Sequence, residues 1–439
     1  MAGRPGGGRA VAPRPRSRLL ALVGPGLLVA ATGVGAGDLA TAAFTGDALG
    51  AAVLWAVVAG AGIKYVLNEG LARWQLATGE TLLEGALTRW RGRLAGPLRV
   101  AFLAYFLAWS FLVAAALMSA CGAVAHAVWP LTGSADGDKL LYGLAHSAAG
   151  VVLVRLGGFR LFERVMGAAI GLMFVTVVAT AVRVAPDWGA VAAGLLVPRI
   201  PDLPGATGWT VALMGGVGGT LTVLCYGYWI REEGRESPAD LGLCRLDLGV
   251  GYAMTALFGV AMVVVGSTVE VAGSGAGLVV ALADRLEATL GPAGRWTFLA
   301  GAWAAVATSL LGVWQSVPYL FADQWRLLRG GAIGQDGRAE AAGAAPAEPA
   351  AITEGAPYRR FLYALATVPA IGLVWSFSLT QRLYAITGAL FMPMLALALL
   401  ALAGSARHIG ATHRNRPLTN AALVAILAFF TVLLGQALR

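Results

Sequence analysis

The stretch that most constrains this chain runs from Gly24 to Phe44, GPGLLVAATGVGAGDLATAAF. It starts as an apolar helix and then meets Gly33, Gly35 and Gly37 at alternate positions, followed at once by Asp38. Each such glycine costs a helix about 1 kcal/mol against alanine. An ionised Asp at membrane depth costs at least about 2.5–3.5 kcal/mol. A segment that accepts both penalties predicts an interrupted membrane helix built around something polar.

That the surroundings are a membrane follows from composition. Of 439 residues, 58% are hydrophobic and 13% charged, against roughly a quarter charged in soluble domains. The net charge of +9 is carried largely by arginines in short loops, where it reports topology and not nucleic-acid binding. Cys121, Cys225 and Cys244 have no paired spacing, which excludes a disulfide framework or a zinc site. The basic, Pro/Gly-rich residues 1–17 lead into the first apolar run without a cleavage pattern, so they read as a cytoplasmic tail.

Runs of about 20 apolar residues mark spans at 18–50 (interrupted), 52–77, 98–127, 139–156, 160–182, 208–236, 242–269, 293–322, 358–377, 381–403 and 417–437. This predicts an all-α membrane protein of about eleven transmembrane helices. An odd number places the termini on opposite sides. With the N-terminus cytoplasmic, the inward loops hold Arg89, Arg91, Arg93, Arg155, Arg160, Arg231, Arg235, Arg326, Arg329, Arg407, Arg414 and Arg416. The outward loops are acidic or mixed, with Asp136 and Asp138, then Arg183, Asp187, Arg199 and Asp202, then Glu270, Asp284 and Glu287. That bias obeys the positive-inside rule and leaves the C-terminus outside. Residues 331–356 read as a disordered cytoplasmic linker, 183–207 as an extended Pro-rich loop, and the end of 271–291 as a short external amphipathic helix.

A second interruption mirrors the first. Within 212–236, Gly215, Gly216, Gly218 and Gly219 precede Thr220, Thr222, Tyr226 and Tyr228. It lies five spans after the first, the offset expected of two inverted five-helix repeats that each open with a broken helix. Freed N–H and C=O groups there must line a cavity or bind cargo, because lipid satisfies neither. The same glycines also suit close helix packing.

At this point the motifs become specific. GPGLLVAATGVGAGDLAT resembles the first helix of the natural resistance-associated macrophage protein (Nramp) family of divalent-metal transporters, where a GPG start leads into a DPGN break. Leu54–Trp55, the ARWQLATGETLLEG of 72–85, Gly219–Thr220 and the GVWQSVPYLFADQW of 312–325 are similar to later family patterns. The resemblance implies a LeuT-type fold, with repeats over 18–182 and 208–403 and an extra helix at 417–437. Residue by residue it places Gly35, Ala36, Gly37 and Asp38 on DPGN, and Val223, Leu224, Cys225 and Tyr226 on the family's MPHN. The metal-binding Asp is thus Gly35 and the thioether is replaced by Val223. No acid stands in 98–127, and the sixth helix lacks the family's His pair.

What remains suits a hard, oxygen-ligated ion, Mg²⁺ or Mn²⁺-like, moved with weak or no proton coupling. Asp38 is the candidate metal ligand, with carbonyls near Val34 and Gly35; it is also a good cap for the helix that follows. Thr41, Thr220, Thr222, Val223, Tyr226 and Gln315 are the other expected cargo-site residues, although threonines in membrane helices also bond their own i−4 carbonyls. Glu69 and Arg73, spaced i,i+4, and Arg231, Glu232 and Glu233 are the expected gating residues. The implied partners are a divalent cation and the lipid bilayer of a cell membrane, in a multi-pass protein of bacterial inner-membrane type. No nucleophile–base pair, phosphate loop or cofactor motif appears, which argues against an enzyme. The competing expectation is a small organic substrate, such as an amino acid or amine, at the same breaks.

Overall fold

In a computed structural model, residues 18–35, 37–89, 95–268, 277–330 and 352–437 are described. The expected tail (1–17) and most of the expected linker (331–351), with Arg91, Arg93 and Glu270, lie outside them, as do the side chains of Asp38 and Arg160. The described residues are helical, without a strand. Eight helical segments are long and apolar enough to cross a membrane, with a shorter apolar one at Pro417–Val432. The eleven spans expected are not all resolved as separate long helices. The 358–377 run, for instance, divides into α12 (Ala356–Thr367) and a 3₁₀ segment over Val368–Val374, which starts just before Pro369.

The first span is α1 (Arg18–Gly33), an interruption at Val34 and Gly35, a π turn over Gly37–Thr41, and α2 (Ala42–Leu49). α3 (Leu54–Thr78) stops at Gly79, whose φ of +75° allows its N–H to return to the Gln75 carbonyl, the usual left-handed helix end. α4 (Leu82–Arg89) begins with a reciprocal cap, in which the Thr81 N–H donates to the Glu84 carboxylate and the Glu84 N–H to the Thr81 hydroxyl. α5 covers Ala95–Val128 and α6 Ala135–Arg183.

α6 contains two apolar segments, Ala135–Leu156 and Leu161–Arg183. Gly150 packs on Leu310 and Trp314, whereas Thr176 packs on Gly301. Both segments therefore lie against α11 (Leu278–Gly330). α11 itself turns at Gly291 (φ +74°), before Pro292, which separates the expected external helix from the span.

The loop expected to be extended over 183–207 instead contains α7 (Trp188–Leu196), capped by the Asp187 carboxylate, which accepts the N–H groups of Gly189 and Ala190. The cap at Asp187 outweighs the prolines around it.

The second set opens with α8 (Ala206–Gly216), a 3₁₀ turn over Leu221–Leu224 and α9 (Cys225–Glu232). It continues through α10 (Leu241–Ser267), α11, α12, α13 (Phe377–Ala389) and α14 (Phe391–Leu402); α15 (Ala406–Ile409) and α16 (Pro417–Ala437) follow.

Around the breaks, residues 28–35 of the first interrupted span and 210–230 of the second are buried. α1 lies along α10 so closely that a Cβ on Gly251 would fall 2.4 Å from the Gly26 carbonyl oxygen. The two breaks meet backbone to backbone: a Cβ on Gly33 would fall 2.5 Å from the Gly218 carbonyl carbon and 2.8 Å from the Gly219 nitrogen. Glycine is therefore needed at Gly33 for approach, and at Gly218 and Gly219 also for their positive φ of +76° and +85°.

Gly33→Ala should lower the thermal midpoint in detergent by the equivalent of about 1–3 kcal/mol, the usual range for overpacking a tight contact. Gly62→Ala, at an exposed site on α3 with nothing within 4 Å of a new Cβ, should leave it unchanged or raised.

Candidate functional site

At the first break the backbone is satisfied largely by its own chain and by one hydroxyl. The Val34 N–H returns to the Ala30 carbonyl at 2.7 Å and the Leu39 N–H to the Gly35 carbonyl at 2.8 Å. The Thr32 carbonyl accepts the Ser309 hydroxyl of α11 at 2.7 Å. Val34 and Gly35 are buried, with Ser309 filling the space beside Gly35. Thr41 is buried too: its carbonyl accepts the Thr45 hydroxyl, while its own Oγ1, like that of Thr32, has no hydrogen-bond partner among the described residues. The Asp38 backbone belongs to the π turn.

At the second break the carbonyls freed at the end of α8 take a cation from another span. Lys64 of α3, with no exposed surface, donates its ammonium to the Gly215 oxygen at 2.9 Å and to the Val217 oxygen. The Thr220 hydroxyl accepts the Trp109 indole N–H of α5 at 2.8 Å, and the Thr220 carbonyl accepts the Val223 N–H at 3.2 Å. Thr222 and Val223 are buried in the 3₁₀ turn that follows. Val34, Gly35, Thr41, Thr220, Thr222 and Val223 are each buried, on the two segments whose backbones meet at Gly33 and Gly218–Gly219. Among the described residues no group of three or more His, Cys, Asp or Glu side chains gathers as a ready metal site.

Tyr226 and Gln315 are buried and have partners on and around α9. Each ties α9 in place beyond the break: the Tyr226 hydroxyl donates to Asp247 of α10 at 3.1 Å, and Gln315 of α11 accepts the Trp229 indole N–H at 3.0 Å. The same half-helix is held by Tyr228 donating to Asp323 at 2.7 Å and by the Gln75 amide donating to the Gly227 carbonyl at 2.6 Å. Asp247 also accepts the Gly26 N–H at 2.7 Å and pairs with Arg235 at 2.9 Å, so one buried carboxylate joins α1, α9 and α10.

Of the expected gating residues, Arg231 pairs with Glu84 at 2.9 Å and donates to the Gly79 carbonyl. Arg326 bridges Glu84 and Asp323, at 2.7 Å to each. Glu232 and Glu233 are half-buried at the end of α9, where Glu233 and Glu163 both approach Gly24. Glu69 and Arg73 form the expected pair at 3.3 Å, with Arg245 on Glu69 at 2.7 Å. They line a separate cavity of about 590 Å³ between α3, α10 and α16 with Arg414 and Arg416, away from the breaks.

Asp247 and Asn68 were not singled out by motif, and Gln75 and Glu84, although within the 72–85 motif, were given no role of their own. The available signal was a polar or charged side chain within or beside an apolar span, which is rare without a partner. Asn68, for example, donates to the Tyr252 hydroxyl at 2.8 Å.

A sequence profile of the natural resistance-associated macrophage protein-like family, Nramp, matches residues 26–438. The divalent metal cation transporter MntH of Verminephrobacter eiseniae is 27% identical over 198 residues, 43% of this chain. The match spans 41% of that relative's length, less than half of it. A crystal structure of a mutant manganese transporter from Eremococcus coleocola superposes with a TM-score of 0.67 at 17% identity, covering 97% of this chain and 88% of that one. MhsT in complex with L-phenylalanine superposes with a TM-score of 0.59 at 16% identity, covering 96% and 98%. These likenesses show the shared LeuT-type fold.

Burial alone would push the Glu84 carboxyl up, but the Arg231 charge, the Thr81 N–H and Arg326 outweigh it and hold it below the usual carboxylate range. A carboxyl lowered by folding stabilises fully above its unfolded value, and that contribution is lost as pH falls through the lowered one. Glu84→Gln should therefore cost roughly 1.5–3 kcal/mol at neutral pH, the range for hydrogen bonds to charged groups. The difference from wild type should shrink in thermal melts taken at progressively more acid pH.

Proposed function

The chain belongs to the natural resistance-associated macrophage protein-like family, and from that premise we propose that it is a secondary transporter of a divalent metal cation, not an enzyme. The ion is hard, Mg²⁺ or Mn²⁺-like, moved by alternating access with weak or no proton coupling. The observation that carries this reading is the meeting of two interrupted spans at Gly33 and Gly218–Gly219. In broken-helix transporters such a junction is where cargo binds, because unwound backbone supplies oxygens that lipid cannot satisfy.

In this reading Asp38 supplies the carboxylate, Val34 and Gly35 supply carbonyls, and the hydroxyls of Thr41, Thr220 and Thr222 line the site beside Val223. The absence of a thioether at Val223 favours oxygen ligation and so a hard ion. Arg231, Glu232 and Glu233 act at the inner gate, where α9 is fastened to α4, α10 and α11; Tyr226 and Gln315 belong to that fastening more than to the cargo. Opening inward requires the Arg231–Glu84 pair and its neighbours to part. The arginine bias of the loops supports a multi-pass cell-membrane protein with a cytoplasmic N-terminus and an outer C-terminus. The five-span offset between the breaks supports two repeats over 18–182 and 208–403 with 417–437 added.

A second reading, a small organic substrate such as an amino acid, is favoured by one observation: a cation, Lys64, already sits on the freed carbonyls of the second break.

In proteoliposomes, wild-type protein should move Mg²⁺ or Mn²⁺ above empty vesicles. Asp38→Ala should reduce that flux by about tenfold or more, the equivalent of at least ~1.4 kcal/mol. Flux of an amino acid with neither ion moving would replace the first reading with the second.

A further inference from the structure

Lys64 is the least expected charge in the molecule. It stands in the middle of an apolar span, has no exposed surface, and carries a group that is expensive to bring to membrane depth. Its ammonium donates to the carbonyl oxygens of Gly215 and Val217, at the end of the eleven-residue half-helix α8. Gly218 and Gly219, at positive φ, turn the chain away there, so these carbonyls lose their helical partners. A helix C-terminus is also the negative pole of its dipole. Freed carbonyls at the end of a half-helix are the groups that hold a mobile cation in transporters of this architecture. Gly60, one turn before Lys64 on α3, rests against Met214 and brings α3 close enough for the lysine to reach. The residues that follow the two carbonyls, Gly218 and Gly219, are those that touch Gly33 of the first break. A fixed positive charge therefore sits at the junction itself.

We propose that Lys64 is a tethered cation that occupies the cation-binding end of the second break and sets the selectivity of the site. It fills with a side chain the place that a second free ion would take, and its charge opposes a divalent cargo ion bound next to it. Affinity for that ion is thereby held down, and cargo ligation falls to the first break. This inference rests on the cation-transport reading and deepens it. It makes Lys64 a specificity-determining residue and not merely a packing one.

The test is Mn²⁺ and Mg²⁺ binding by calorimetry on purified full-length protein, for wild type, Lys64→Gln, Lys64→Ala and Lys64→Arg. Fold is checked by gel filtration and thermal midpoint. The neutral variants should bind the divalent ion at least tenfold more tightly, while Lys64→Arg, which keeps the charge, should stay at or below the wild-type affinity. In Lys64→Ala, added n-propylammonium should raise the thermal midpoint and weaken Mn²⁺ binding back toward wild type, because the free amine restores the missing charge. This arm also serves if the neutral variants are stable only with the amine present, since Mn²⁺ affinity is then read against amine concentration. Folded neutral variants that bind no more tightly than wild type, or Mn²⁺ affinity indifferent to the amine, would overturn the proposal. If the wild type moves one of the ions and the neutral variants gain nothing, this inference alone fails. If no form binds or moves either ion, the transport reading fails and this one with it.

Discussion

Everything in this fold is arranged around the contact of Gly33 with Gly218 and Gly219, two stretches of bare backbone pressed together where two spans are interrupted. A broken helix inside an apolar layer exposes N–H and C=O groups that cost several kcal/mol each if left without partners. The molecule meets that cost by drawing one side chain from each of several other spans. Ser309 from α11 covers the Thr32 carbonyl, Lys64 from α3 covers Gly215 and Val217, and Trp109 from α5 binds Thr220. The junction is thereby tied to α3, α5 and α11 at once, and a shift of any of these helices is felt there.

The inner half of the second interrupted span is held differently. α9 carries its polar groups outward to Glu84, Asp247, Gln315 and Asp323, and receives Gln75 on its backbone. Neutral hydrogen bonds contribute about 0.5–1.5 kcal/mol net and those to charged groups about 1.5–3. The set together is therefore worth on the order of 5–10 kcal/mol. Inverting a two-state population from 1:99 to 99:1 takes roughly 5.5 kcal/mol. A fastening of that size is strong enough to hold α9 in one position and weak enough for a conformational cycle to release it. Asp247 matters most here, since it also holds the Gly26 N–H of α1 and so couples both half-helices on that side.

Much of this could be read from residues alone, for identifiable reasons. Glycines cluster at 33, 35 and 37 beside Asp38, and at 218 and 219, densely enough to weaken a helix, so the positions of both interruptions were visible. The Arg73–Glu69 pair follows from i,i+4 spacing. Other features depend on distant partners that no local pattern specifies. Lys64 carries no local sign of its role, because its acceptors lie some 150 positions away. The hydroxyl of Tyr226 needs a partner wherever it packs, and only the fold identifies that partner as Asp247, 21 positions further on. α7 was missed because prolines drew attention from the Asp187 cap.

The account turns on the junction of the breaks being a site that water and ions reach in turn from the two sides. Its most direct measurement is the modification rate of one cysteine placed at Val34, with Cys121, Cys225 and Cys244 replaced by alanine, by a membrane-impermeant thiol reagent in oriented vesicles. The account predicts slow modification from at least one side, with a rate that changes several-fold when Mg²⁺ or Mn²⁺ is added. A cysteine that never reacts from either side, with or without the ions, while one in an exposed loop reacts fully, would contradict it.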